Sequence, residues 1–232
     1  MSFRLDHIAI GVRSIAVCGP WIESALGGVR REGGPSPGFD WVQWAFANDA
    51  RLELIEPTGK HGFLHRFLER QGVGVHHVTF KVPNLELAAA RARAAGYEIV
   101  GYDDSLPGWK ECFLHPKQAQ GIVVQFAETW PSSTGKSGPA HSGSVRLLGL
   151  RLRAHDERAA REQWGRLLGG VEEPTGTRGL VRFRWPESPM AIAVEIAPGA
   201  ALGPAAVEFA GASPSLVTTD IAALFGTPLE VA

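Results

Sequence analysis

The sequence predicts an α+β protein built from repeated units, each containing a strand, a helix and then two or three further strands. Three observations support this fold class. Apolar residues alternate along short runs, helical segments lie between capping residues and glycines, and the same order of elements recurs along the chain. The 232 residues are enough for one large domain or two small ones.

The first unit begins with the alternating strand LDHIAIGV at residues 5–12. Ser14 marks the start of a helical segment that ends at Gly27 and Gly28. Two extended runs follow, WVQWAF at 41–46 and RLELI at 51–55. The Asn48–Asp49 pair between these runs predicts a hairpin turn.

The second unit repeats this order. VHHVTFKV at 75–82 predicts the strand, Asn84 caps an alanine-rich helix at 85–95, and Gly96 ends that helix. The extended runs that follow are YEIV at 97–100, ECFL at 111–114 and GIVVQFA at 121–127. We therefore predict that residues 1–129 form one domain of two units.

The rest of the chain predicts a linker and a second domain. Residues 130–144 are rich in Ser, Gly and Pro and lack apolar periodicity, which is typical of a linker. A third unit follows, with strands at 146–152, 180–185 and 191–196 around a helix that starts at Asp156 and stops at Gly169–Gly170. The run at 205–210 begins a fourth unit that the remaining residues are too few to complete. We predict a second domain at 145–232.

Charge and composition favour a small-molecule partner. Lys and Arg number 23 and Asp and Glu 24, so the formal net charge is −1. A chain without blocks of like charge lacks the long-range attraction that nucleic acid or an anionic membrane requires. Two cysteines are too few for a disulfide framework, and the N-terminus lacks the apolar core of a signal peptide. We therefore expect a cytoplasmic protein with no membrane or nucleic-acid partner.

Four polar residues occupy matching positions in the first two units. His7 and His77 are 70 residues apart, and Glu53 and Gln125 are 72 apart. Strand alternation places all four on the face opposite the apolar side chains. Two imidazoles, a carboxylate and an amide oxygen suit a divalent ion such as Zn, Co, Ni, Mn or Fe. The alternative is that the histidines only form hydrogen bonds at strand ends.

The chain also resembles a known superfamily. LDHIAIGV, LELIEP, FLERQGVGVHHVTFKV and FLHPKQAQGIVVQFAE are similar to landmarks of the vicinal oxygen chelate proteins, most closely the methylmalonyl-CoA epimerases, over residues 4–128. The resemblance implies paired βαβββ modules that form a cupped sheet around one metal. It assigns the metal ligands to His7, Glu53, His77 and Gln125. Related epimerases generally have a carboxylate at the position of Gln125, and some have an amide at that of Glu53, so the two have exchanged modules here.

The epimerase resemblance implies a metal-stabilised enolate of a small acyl or carbonyl substrate, an acyl-CoA among the candidates. A carboxylate must then remove the proton alpha to the carbonyl, and an amide such as Gln125 cannot accept it. Glu53, Asp40 and Glu111 remain candidate acid/base residues beside Gln125 in the site. Gln43 lies near the position where some epimerases have a catalytic carboxylate.

Other functions and roles stay open. The same scaffold serves lactoylglutathione lyases and ring-cleaving dioxygenases, and a dioxygenase binds ferrous iron with two imidazoles and one carboxylate, which would leave Gln125 off the metal. A non-catalytic protein that binds a drug or metabolite is a third hypothesis. The third unit places Gly149 at the position of His7 and retains only Glu195 as a counterpart of Glu53. We expect this degenerate copy to serve packing, pocket closure or self-association as a homodimer.

Overall fold

The computed structural model describes residues 2–129, 144–212 and 224–231. The predicted linker at 130–144 lies outside the described residues except for its last one. Within the described chain, fourteen strands and a smaller number of helices confirm the α+β class. None of the described helices combines the length and apolar character that crossing a membrane requires.

Residues 4–129 form two βαβββ modules joined by a helix. The first module contains β1 (Arg4–Gly11), α1 (Ile15–Ser24), β2 (Val29–Ser36), β3 (Phe39–Ala45) and β4 (Arg51–Pro57), and α2 (Phe63–Gln71) follows it. The second contains β5 (Gly74–Lys81), α3 (Leu85–Ala94), β6 (Ile99–Leu106), β7 (Trp109–Leu114) and β8 (Val123–Thr129). Their strands form an eight-stranded sheet in the order β2-β3-β4-β1-β5-β8-β7-β6. Each module therefore has the same internal strand order, counted from its first strand.

The later residues form a third module and part of a fourth. They comprise β9 (Arg146–Ala154), α4 (Glu157–Ala160), a π-helical segment (Arg161–Leu167), β10 (Val171–Glu173), β11 (Leu180–Arg184), β12 (Ala191–Ile196), β13 (Gly203–Ala210) and β14 (Leu229–Val231). These strands form a six-stranded sheet in the order β10-β11-β12-β9-β13-β14. The prediction of an α+β fold with βαβββ modules is confirmed.

The edge strand β2 and the helix of the third module are among the features that differ from the predicted elements. The sequence VRREGGPS of β2 carries no alternating apolar signal because this strand lies at the sheet edge with most of its side chains exposed. Its pairing with β3 is also irregular between Arg30 and Gly33. The helix predicted from Asp156 begins as expected, since the Asp156 carboxylate accepts from the backbone N–H groups of Arg158 and Ala159, but it becomes π-helical at Arg161.

The chain contains two compact units, each assembled from separate segments. The first comprises the residues up to Asp6, the chain from His77 through β8, and Leu150–Ala205. Its core centres on Phe80, which is fully buried and has ring contacts with Phe3, Trp164 and Trp185. The Phe80 and Trp185 ring centroids are 4.9 Å apart.

The second unit comprises His7–His76, the short described segment from Ser144 to Gly149, and the chain from Ala206. Phe46 and Phe209 pack edge to face in its core, with ring centroids 5.4 Å apart. A second cluster forms where α2 covers β4, with Leu64 and Leu68 packed on Ile55. Trp41 packs on this cluster, and the fully buried Trp44 donates its indole N–H to Glu23, so both tryptophans serve packing.

A glutamate one residue before the end of the last strand in each of the first two modules caps that module's helix. Glu56 Oε2 accepts from the backbone N–H of Ile15 at 2.7 Å, and Glu128 Oε2 accepts from Leu85 N–H at the same distance. Asn84 caps α3 through its side chain as predicted, whereas the Ser14 side chain makes no capping bond. The first N–H groups of a helix have no intrahelical partners, and these carboxylates accept hydrogen bonds from them. Their negative charge also interacts favourably with the positive end of the helix dipole.

Replacing Glu128 with alanine is expected to lower the free energy of unfolding by about 1–2 kcal/mol, because α3 loses a charged acceptor at its first turn. Urea unfolding measures this change. Glu128→Gln keeps an acceptor oxygen and serves as the matched control, with a loss of about half as much. Equal stability of Glu128→Ala and the wild type would contradict the capping role.

The thiol of Cys112 provides a test at alkaline pH. Cys112 is fully buried, and this burial raises the pKa of its thiol from 9.0 to about 12. The unfolded chain releases the proton at lower pH than the native chain, so stability is complete below pH 9 and falls as the pH rises above it. We expect a slope of up to about 1.4 kcal/mol per pH unit that Cys112→Ala removes. The same pH-dependent loss in Cys112→Ala and the wild type would contradict this assignment.

Candidate functional site

His7 and Glu53 meet on neighbouring parallel strands of the first module. Ala9 of β1 lies opposite Glu53 of β4, and strand alternation puts His7 on the same face. His7 Nε2 lies 3.6 Å from Glu53 Oε1, and both residues are buried. Gln43, opposite Glu53 on β3, donates its amide N–H to Glu53 Oε2 at 2.8 Å. The carboxylate is therefore held by an amide while its other oxygen faces an imidazole.

His77 completes a group of potential metal ligands. One ligand atom from each of His7, Glu53 and His77 lies within 4.8 Å of the others, and all three residues are buried. Among the residues that the structure describes, no other such group of three His, Cys, Asp or Glu side chains occurs. Two imidazole nitrogens and one carboxylate oxygen suit Zn, Fe, Co, Ni or Mn. The donor types and their proximity fit a divalent metal ion.

Gln125, the fourth predicted ligand, is engaged in hydrogen bonds with other side chains. The Thr79 hydroxyl donates to Gln125 Oε1 at 2.5 Å, and Gln125 Nε2 donates to Glu111 Oε2 at 2.7 Å. Both Thr79 and Gln125 are buried and lie opposite each other on β5 and β8. The amide oxygen that would bind a metal therefore accepts from Thr79 in this structure.

Asp40 and Glu111, the other two candidate acid/base residues, have different surroundings in the structure. Asp40 is exposed and lies three positions before Gln43 on β3, which places it on the opposite face of the strand from Gln43 and Glu53. Glu111 is half-buried on β7, and its Oε2 also accepts from the indole N–H of Trp109 at 2.8 Å. Trp109 lies under the Lys81 ammonium, with Nζ 3.9 Å from the ring centroid. Glu111 therefore lies within a polar network, and Asp40 lies outside it.

Two further histidines, His76 and His115, have structural surroundings. The ring of His76 packs on Phe63 and Phe67 of α2, and burial lowers the pKa of this imidazole to about 4. His115 Nδ1 accepts from the backbone N–H of Lys117 at 3.2 Å, which stabilises the turn that begins at Pro116. Thr79 is the functional candidate that residue type alone missed. Its face was evident from strand alternation, but its bond to Gln125 depends on the pairing of β5 with β8.

Comparison with known proteins identifies the family of this chain. The model of the glyoxalase/bleomycin resistance protein/dioxygenase superfamily matches residues 6–113. The uncharacterized protein YqjC of Bacillus subtilis is 32% identical over 132 residues, which cover 54% of this chain and 91% of that protein. The chain belongs to the glyoxalase/bleomycin resistance protein/dioxygenase superfamily.

Further relatives, two of them with named activities, each match about half of the chain. The ethylmalonyl-CoA/methylmalonyl-CoA epimerase of Cereibacter sphaeroides is 27% identical over 132 residues, covering 54% of this chain and 97% of the relative. The crystal structure of methylmalonyl-CoA epimerase from Mycobacterium tuberculosis has 26% identity and a TM-score of 0.51, covering 55% and 88% of the two chains. A hypothetical protein from Bacillus halodurans C-125 has a TM-score of 0.52 at 26% identity, covering 56% and 96%. These matches therefore cover about half of the present chain.

The third module carries different chemistry at the corresponding strands. Arg182 of β11 lies opposite Ala193 of β12, and Glu195 lies opposite Leu180. Glu195, which the sequence predicts as the third-module counterpart of Glu53, lies 3.8 Å from the Arg153 guanidinium. In the described part of this module, the glutamate forms an ion pair with an arginine rather than a cluster with imidazoles.

Proposed function

We propose that this protein is a metal-dependent enzyme that converts a small acyl or carbonyl substrate through an enolate, with epimerization of methylmalonyl-CoA as the nearest named reaction. The observation that carries the proposal is the buried group formed by His7, Glu53 and His77. Epimerases among the relatives support the reaction class, since their names specify ethylmalonyl-CoA and methylmalonyl-CoA.

The three side chains would hold the metal, and their neighbours would orient them. Gln43 donates to one oxygen of Glu53 and lies 3.4 Å from His7 Nδ1, so its amide contacts both residues. Such neighbours fix the orientation of ligands around a metal. A bound divalent ion would supply Lewis-acid stabilisation of negative charge on the carbonyl oxygen of the substrate.

An acyl-CoA thioester fits this chemistry. The hydrogen alpha to a thioester carbonyl is a weak acid, so the site needs charge stabilisation at the oxygen and a group that accepts the proton. A cavity of about 480 Å³ opens beside the β6–β7 hairpin and is lined in part by Trp109, Lys110 and Glu128. None of the three candidate metal ligands is among its lining residues.

A ring-cleaving dioxygenase is the second candidate function. Two imidazoles and one carboxylate are the ligand set of ferrous oxygenases, and the hydrogen bonds of Gln125 leave this set without an added amide ligand. An isomerase of the lactoylglutathione lyase type would use the same group of metal ligands on a different carbonyl substrate. Bound iron with oxygen uptake would distinguish the dioxygenase from both isomerases.

The proposal is tested with protein purified without an affinity tag. Metal analysis is followed by incubation with methylmalonyl-CoA in heavy water, and NMR measures replacement of the alpha hydrogen. We expect exchange that a chelator abolishes and added metal restores. Bound iron with oxygen uptake and no exchange would instead support the dioxygenase. Tight ligand binding that survives chelation, without turnover, would support a binding protein.

A further inference from the structure

Glu111 lies at the end of a chain of hydrogen bonds that crosses three strands. Thr79 on β5 donates to Gln125 on β8, and Gln125 donates to Glu111 on β7. Trp109, two residues before Glu111 on the same strand face, donates to the same carboxylate oxygen, Oε2. Both donors therefore converge on one carboxylate oxygen, Oε2.

The network explains how the second module can lack a carboxylate at residue 125. An amide cannot accept a proton from carbon, so Gln125 cannot serve as the base. Its Nε2 lies 2.7 Å from a carboxylate on the adjacent strand, which is half-buried and shares the strand face of Trp109. Trp109 lines the cavity beside the β6–β7 hairpin and donates its indole N–H to Glu111, which connects the network to the wall of that cavity.

Asp103 is the other carboxylate that faces Glu111, from the opposite position on β6. Its Oδ1 accepts from both the hydroxyl and the backbone N–H of Ser105, at 2.6 and 2.9 Å. These bonds hold the pKa of Asp103 below its usual value, which makes this carboxylate a poor proton acceptor. Glu111 receives its two bonds from neutral donors, an indole and an amide.

We propose that Glu111 is the catalytic proton acceptor of the second module, and that Gln125 and Thr79 are positioning residues that hold its carboxylate. The inference rests on the proposed function. In the step, the bond between the alpha carbon and its hydrogen breaks, and the proton goes to Glu111 Oε1. The electron pair forms the carbon–carbon double bond of the enolate, and the carbonyl oxygen takes the negative charge. Return of a solvent-exchanged proton from Glu111 to the same face of this carbon gives exchange without inversion, so epimerization also requires a second group that delivers a proton to the opposite face.

The test measures exchange of the alpha hydrogen of methylmalonyl-CoA in heavy water by the metal-loaded protein. Glu111→Gln preserves side-chain size and is expected to lower kcat for exchange by about 10²–10⁴-fold with KM nearly unchanged. Thr79→Val and Gln125→Leu are expected to lower kcat by smaller factors, about tenfold, without changing metal content. Asp103→Asn is the matched control and is expected to retain wild-type exchange.

A rescue variant distinguishes catalysis from a structural role. Adding Gln125→Glu to Glu111→Gln returns a carboxylate to the network and is expected to restore at least a tenth of the lost exchange rate. Thermal unfolding and metal analysis of every variant confirm that the fold and the metal are retained. Wild-type rates in Glu111→Gln, or a Glu111→Gln defect that lies wholly in KM, would overturn the inference while the proposed function stands. Absence of exchange in the wild type would overturn both.

Discussion

The double variant His7→Ala, His77→Ala is expected to purify without divalent metal and to lose alpha-hydrogen exchange by about a thousandfold or more, because a metal contributes several kcal/mol to charge stabilisation in such reactions. Both imidazoles lie in the buried group with Glu53, so their removal leaves a single ligand. Elemental analysis measures the metal, and exchange in heavy water measures the activity.

A histidine outside this group provides the control. His61 is exposed and precedes α2, so His61→Ala is expected to retain both metal and activity. Circular dichroism establishes that the double variant remains folded. Metal content in the double variant equal to that of the wild type would contradict the assignment of the ligands. Metal loss without any loss of exchange would separate the metal from the reaction.

Truncating Phe80 to alanine is expected to lower the free energy of unfolding by about 3–5 kcal/mol, the largest stability change that we predict. Phe80 is fully buried among Phe3, Trp164 and Trp185, and it lies on the face of β5 opposite His77 and Thr79. Its removal leaves a cavity that these large rings cannot readily fill. Urea unfolding in the presence of a chelator measures the change without a contribution from bound metal.

Phe63→Ala is the matched control for this truncation. The Phe63 side chain is 40% exposed on α2, so the same substitution there is expected to cost no more than about 1.5 kcal/mol. A loss of similar size in both variants would contradict the placement of Phe80 at the centre of the core. Because Phe80 lies away from the polar face, residual folded protein is expected to keep its metal.

The sequence by itself determined the modular α+β fold and much of the candidate site. Alternating runs predicted β1, β5 and β9, because a strand that buries one face must alternate. The same two-residue alternation predicted that His7 and His77 each lie on the face of their strand opposite the apolar side chains. It also separates Asp40 from Gln43, which are three positions apart on β3, so the position of Asp40 on the other face was available from the sequence.

The tertiary structure decided which neighbour each of these side chains contacts. Residue spacing predicts the face of a side chain, but its hydrogen-bond partners come from strands that are distant in the sequence. Gln125 meets Thr79 and Glu111 only because β8 pairs with β5 on one side and β7 on the other. The helix caps from Glu56 and Glu128 likewise join residues about 40 positions apart. Strand order and register are set by packing of the whole sheet, so local sequence patterns cannot specify these contacts.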